Sequence, residues 1–161
     1  MTSLWPALAG GFAGTVVLTT VLRTASEVHL TRMDLPFLLG TAVTANRARA
    51  KAIGYLAHFI MGFLFALGYY GLFRAVGRHD WWLGAYFGLA QGVFAGTVLI
   101  NVLLPLVHPR MGTPLSDAGT VALLEPPGFM ARNYGLQTPA VSLLAHIAYG
   151  TIIATFLTLA G

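Results

Sequence analysis

Two histidines lie deep in apolar stretches of this chain, His58 within LAHFIMG (56–62) and His146 within LAHIAYG (144–150). Each is followed four residues later by a glycine, Gly62 and Gly150, which a helix places on the same face one turn away. A small neighbour leaves room beside the imidazole. Ionisable groups at such depth are costly and tend to mark ion paths, proton relays or ligand sites. Desolvation disfavours the charged ring, and neutral imidazole is also the metal-ligating form. The competing reading is structural: each ring hydrogen-bonds a threonine or a carbonyl on a neighbouring helix.

The polar connections add further ligand-type groups. Asp34 lies in RMDLP, His108 opens HPRM, Glu125 opens EPPGF, and His29 follows Val28. Joined to His58 and His146, they make a mixed nitrogen–oxygen set of the kind that suits zinc, manganese or iron. No HExxH or Glu-x-x-His spacing supports it. The alternative is that Arg32 and Arg110 pair with the acids and fix the loops at the membrane interface. Two axial histidines could instead hold a haem, although the sequence shows no haem-sized pocket. The chain has no cysteine, which excludes disulfides, thiolate metal sites and Cys nucleophiles. It has no G-x-S-x-G, P-loop or dinucleotide fingerprint, and Ser3, Ser26, Ser116 and Ser142 have no triad-like context. An enzyme is therefore the least supported class.

The elements that must position these residues are apolar. Of 161 residues, 57% are hydrophobic and 9% charged, against about 25% charged in a soluble domain. Such a chain cannot cover its surface with polar groups, so its natural solvent is lipid. Four segments reach the roughly 20 apolar residues that a spanning helix needs: about Leu4–Leu22, Ala52–Val76, Trp81 or Trp82 to Val107, and Ala140–Leu159. Tyr and Trp near their ends suit the interfacial aromatic belt. The first segment has no basic lead and no suitable cleavage site, and reads as a retained helix rather than a signal peptide. Residues 23–51 and 108–139 contain shorter apolar pieces, LPFLLGTAVTA and AGTVALLEPPGF, which predict short interfacial or partly inserted helices. The net charge of +4 resides in Lys and Arg at segment ends, with no basic stripe, which argues against nucleic-acid binding.

The segments also repeat. FAGTV occurs at 12–16 and again at 94–98. Val28-His29, Arg32-Met33, Gly40-Thr41 and LAH at 56–58 then recur in order as Val107-His108, Arg110-Met111, Gly119-Thr120 and LAH at 144–146. The five offsets are 82, 79, 78, 79 and 88 residues. The expected fold is an all-α membrane protein of four transmembrane helices, a tandem repeat of two helical hairpins in one domain. The units are about 4–76 and 81–160. Even numbers of crossings give both units the same orientation, hence a pseudo-two-fold axis along the membrane normal. His58 and His146 are then symmetry mates facing one interior.

Gly84, Gly88, Gly92 and Gly96 recur every four residues, and Gly10 and Gly14 form a shorter run. Such faces allow close helix approach in lipid. They serve either packing inside the bundle or docking on a second copy or a larger membrane complex. Thr15 and Thr97 are expected to bond back to their own helices, and Gln91 and Asn101 to point inward.

The stretch beginning at His58, HFIMGFLFALGY, followed by WLGAYFG at 82–88, has the pattern His-x6-Phe-Ala-x-Gly-Tyr then Trp-x-Gly-x3-Gly. It resembles the YagU-type small bacterial inner-membrane proteins over roughly residues 55–105, with a weaker match at AHIAYG. The resemblance implies a polytopic protein of the bacterial inner membrane, a connection to acid-stress tolerance, and a matching position at His58 and at His146. It implies no role for Asp34, His108 or Glu125. Charge asymmetry predicts the opposite orientation from that family. Arg23, Arg32, Arg47, Arg49, Lys51, Arg110 and Arg132 flank the two long connections, against Arg74 and Arg78 near the short one. The long connections are therefore expected on the cytoplasmic side. Two functions follow: an intramembrane histidine site for protons, an ion or a transition metal or cofactor, or a structural subunit docking through its glycine face.

Overall fold

The computed structural model describes residues 3–112 and 123–161, and its organised elements are helices. Helix α1 spans Leu4–Glu27, the short α2 Leu35–Thr41, α3 Arg47–Val76 and α4 Trp81–Phe94. From α4 the chain continues as a π-helical segment, Ala95–Leu103, and a last α-turn, α5, Leu104–Val107. A 3-10 turn at Phe129–Tyr134 precedes α6, Thr138–Leu159. Four helices are long and apolar enough to cross a membrane: Leu4–Glu27, Arg47–Val76, Trp81–Val107 and Thr138–Leu159. The chain thus has the make-up of a multi-pass membrane protein.

Helix ends follow local chemistry. Ser3 caps α1 and Asn46 caps α3, its side chain accepting from the Arg49 amide at 3.0 Å. Gly77, at φ 72°, ends α3 in the left-handed conformation and donates to the Phe73 carbonyl. Pro105 lies just past the π-helical segment. It carries no N–H for the preceding turn and its ring crowds the carbonyl behind it, which accounts for a change of helical register at that point.

The helices form an arc in which α3 packs on α1, α1 on α6, and α6 on α4. Helix α2 lies against α3. Small residues set these approaches. A Cβ on Gly10 or Gly14 would press on Ile153, Phe156 or Tyr149, and one on Gly11 would strike Ala66. Gly84 and Gly88 face the backbone carbonyls of Gly150 and His146, Gly92 faces His146 and Leu143, and Gly96 faces Met130. The glycine face therefore packs inside the chain, against α6 and the 129–134 turn. Helices α3 and α4 close the arc only near their shared turn. There Tyr69 meets Phe87 and Tyr149 edge-on, and the Tyr69 hydroxyl donates to Gln91 Oε1 at 2.8 Å. His79 and Thr158 tie that same end to α6, the Thr158 hydroxyl donating to the His79 carbonyl at 2.9 Å.

The two long connections meet at the opposite end. Thr31 and Thr138 share a buried hydrogen bond of 2.7 Å, and the Arg32 amide donates to the Tyr134 carbonyl at 2.6 Å. The Arg32 guanidinium reaches Glu125 at 3.2 Å, while Arg110 donates back to the Thr41 carbonyl. Thr138 is fully buried and Thr31 nearly so. Replacing Thr138 by valine keeps the volume but removes one partner of the Thr31 hydroxyl, which keeps the Met33 amide and a longer reach to the Tyr134 carbonyl. The expected loss is about 0.5–1.5 kcal/mol, the scale of one net hydrogen bond, read as a lower unfolding midpoint in detergent micelles. The segment Thr113–Ala122, which carries Gly119-Thr120 and Ser116, lies outside the described residues.

Candidate functional site

His58 lies mid-way along α3 and His146 in the first half of α6, both buried. The Thr19 hydroxyl has one proton, which goes to the Thr15 carbonyl one turn back at 2.6 Å. Its oxygen lies 3.1 Å from His58 Nδ1. With that proton committed, Nδ1–H is the donor to Thr19. His146 Nδ1 lies 2.7 Å from the Ser142 carbonyl, which can only accept, so this Nδ1 also carries the hydrogen. In a neutral imidazole one nitrogen donates and the other keeps a lone pair. Both rings therefore present a bare Nε2, a tautomer assigned from the hydrogen-bond network.

Neither Nε2 has a partner among the described residues, and no fully enclosed side-chain nitrogen or oxygen there lacks one. Each Nε2 is accordingly not sealed in packing. Both histidines line a cavity of about 220 Å³. Its walls are mostly apolar: α3 through Met61 and Phe65, and the π-helical segment through Leu99, Ile100 and Leu103. Its floor is α1 and α6. The cavity exists because α3 and α4 touch only near their shared turn and the π-helical segment stays apart from α3.

His58 also borders a second space of about 190 Å³ that opens at the loop end, with Thr19, Arg23, Asp34, Lys51 and Tyr55. Its charges are matched in pairs. Arg23 bonds Glu27 at 2.8 Å and Tyr55 at 3.0 Å, and Lys51 meets Asp34 at 3.0 Å. These side chains are partly or well exposed. The arrangement is a polar vestibule and a mostly apolar chamber that share His58, with His146 lining the chamber only.

The loop residues of the six-member ligand set do not join the histidine pair at a metal centre. No three His, Asp or Glu among the described residues stand close enough together to hold an ion. Asp34 caps α2, accepting from the Phe37 amide at 3.1 Å, and pairs with Lys51. Glu125 pairs with Arg32, and its carbonyl accepts from the Tyr134 hydroxyl at 2.6 Å. Burial raises that phenol to a pKa of about 12, with the Glu125 carboxylate adding to the rise and Arg32 opposing it. His29 is exposed at the end of α1, at φ 61°. His108 is buried with both nitrogens in use: Nδ1 accepts from the Arg110 amide, and Nε2 lies 3.1 Å from the Leu38 carbonyl. It ties the second connection to α2.

Burial lowers the His108 pKa from 6.5, the Leu38 carbonyl opposes that fall, and Arg110 deepens it. Below 6.5 the unfolded chain takes up a proton that the folded chain resists, so stability rises with pH across that window. His108 thus stabilises the fold above about pH 6.5 and loses that contribution as the pH falls below it. Melting curves from pH 5 to 7.5 should show a shallower pH slope for His108→Gln than for the parent.

Thr19 and Tyr55 emerge as site residues that spacing alone does not mark. Ser142 meets the His146 ring through its backbone carbonyl one helical turn back, a contact that any residue there could make. Thr15 and Thr97 bond to the carbonyls of Gly11 and Val93, as expected of hydroxyls in apolar helices. Gln91 is buried against Tyr69, whereas Asn101 is half-buried in the π-helical segment and does not line the chamber. Comparison with known proteins yields no matching family model, no matching curated protein and no matching solved structure.

Proposed function

We propose that the chain is a multi-pass protein of the bacterial inner membrane whose paired imidazoles form an intramembrane site for a proton, an ion, or a transition metal or cofactor. The observation that carries this reading is that two imidazoles, each held through Nδ1 and with no Nε2 partner among the described residues, line one mostly apolar chamber. A structural histidine needs both nitrogens satisfied, as His108 has them. His58 and His146 instead use Nδ1 for orientation and leave the more basic face of the ring unbonded. The same second-nitrogen contact fixes ring orientation in metal and proton-transfer sites. Two imidazoles with no third ligand grouped with them among the described residues favour proton handling.

A tandem duplication accounts for the pair. The two connections reach across each other, Arg32 to Glu125 and Arg110 to Thr41. Met33 and Met111 are both buried, and the hydrogen bonds at Nδ1 assign the two histidines the same tautomer. The halves are not packed identically, because α1 lies close on α6 while α3 and α4 diverge. The inner-membrane location rests on the resemblance and on the four apolar helices. The accessory-subunit reading loses its named docking surface, since that glycine face is covered by α6.

The experiment is reconstitution into liposomes with an internal pH dye, together with elemental analysis and an absorption spectrum of gently purified protein. Proton flux or stoichiometric metal that disappears in the His58→Ala, His146→Ala double variant supports the proposal. Flux and metal content identical in parent and variant overturn it.

A further inference from the structure

We infer that the chamber binds a lipid-phase molecule carrying a neutral hydroxyl, such as a phenol, a hydroquinone or a long-chain alcohol. The inference rests on the reading of His58 and His146 as a site, and it names the ligand class. Three observations lead to it.

The first is hydrogen-bond polarity. The chamber's threonine and tyrosine hydroxyls are already committed to the protein. Thr15 donates to the Gly11 carbonyl and Tyr149 to the Gly62 carbonyl, while Thr19 at the His58 ring donates to the Thr15 carbonyl. What remains is the two Nε2 lone pairs, which can only accept, with the Gln91 amide N–H groups and the Ser142 hydroxyl beside them. A ligand that meets the imidazoles must donate, and a hydroxyl can donate to an imidazole while accepting from Gln91 or Ser142. A bare acceptor such as an ether or ester leaves the imidazoles unmet in a dry site, which is costly.

The second is charge. The vestibule's Arg23 and Lys51 are each neutralised by a carboxylate, Glu27 and Asp34. No unpaired cation awaits an anionic headgroup there. A phosphate or carboxylate would have to displace an existing ion pair, whereas a neutral hydroxyl displaces nothing.

The third is the wall. Met61, Phe65, Leu99, Ile100 and Leu103 offer an apolar surface around the bare nitrogens. Sites for small lipophilic molecules combine such walls with a few convergent polar groups. The π-helical segment supplies one entire side, and π-turns inside helices recur at functional sites.

The test uses two probes of one shape, 4-hexylphenol and 4-hexylanisole, the second lacking only the hydroxyl proton. Each is tritiated and partitioned between lipid nanodiscs with and without the intact protein, so that bulk lipid uptake cancels. The expected result is protein-dependent binding of the phenol, about tenfold tighter than the ether, the scale of one hydrogen bond in a desolvated site. The preference should weaken in His146→Ala and fall toward unity in the His58→Ala, His146→Ala double variant. In the parent, phenol and not anisole should shift the ¹⁵N resonance of an imidazole Nε2. Equal binding of the two probes, or no protein-dependent uptake of either, overturns the inference. So does ordinary phenol preference in a His58→Ala, His146→Ala variant that remains folded. None of these results bears on metal content or proton flux, so this inference and the broader reading fail separately.

Discussion

His58→Ala alone should silence the site as fully as the double variant, whereas His146→Ala alone should leave partial function. The asymmetry follows from position. His58 borders both the vestibule and the chamber, while His146 lines the chamber only. Among the described residues His58 is the one titratable group common to both linings, so a proton or ion passing between the two spaces is expected to meet it. The expected loss of flux is at least tenfold for His58→Ala. The stability cost should be small by comparison, about 1 kcal/mol for the lost Thr19 contact. A large fall in flux with a near-normal melting curve separates a functional imidazole from a structural one. Equal flux in His58→Ala and parent would remove His58 from any transport path.

Gly150→Leu should be the most damaging single substitution between α4 and α6. Helices α4 and α6 touch backbone to backbone there, and a Cβ on Gly150 would overlap the Gly84 carbonyl and press on the Gly88 amide nitrogen. No flexible side chain can yield, so the helices must separate. Overpacking of cores typically costs about 1–3 kcal/mol, and a rigid contact on both sides places this variant at or above that upper end. Because α6 carries His146, the chamber should be lost with the packing. Gly68 and Gly71 are the control: a Cβ added at either meets nothing within 4 Å. Alanine at these two positions should be neutral or stabilising by about 0.5–1 kcal/mol each, since glycine is a poor helix former. Unfolding midpoints that do not separate the two groups would contradict the packing described for α4 and α6.

Much of this organisation is legible in the sequence because lipid imposes simple demands. Runs of about 20 apolar residues predict the four long helices. Their ends were harder to read, since hydropathy is blind to helix that continues in polar sequence. Helix α1 runs past Leu22 to Glu27, where Arg23 and Glu27 pair one turn apart. Helix α3 begins at Arg47 because Asn46 caps it, not where the apolar run starts. LPFLLGT does form a short helix, α2, as its length and Pro36 suggest.

The site was legible only in outline. Burial of His58 and His146 follows from their apolar surroundings. Their shared tautomer depends on Thr19 and Ser142, whose roles come from three-dimensional contacts. The loop acids illustrate the opposite case. Carboxylates and histidines in polar connections suit a metal and suit an ion pair equally well in sequence, and only the partner decides. Glu125 found Arg32, as the ion-pair alternative held, but Asp34 found Lys51 rather than an arginine. Arg110 instead donates to the Thr41 carbonyl. The π-helical segment left no periodic signature, although Pro105 marks where the register changes.

The most direct measurement is the ¹⁵N spectrum of histidine-labelled protein in lipid at neutral pH, with His58 and His146 assigned by their alanine variants. Both rings are expected to carry hydrogen on Nδ1 and a free lone pair on Nε2. A spectrum with the hydrogen on Nε2 of either ring would contradict this, because that ring would then have no open acceptor to offer the chamber.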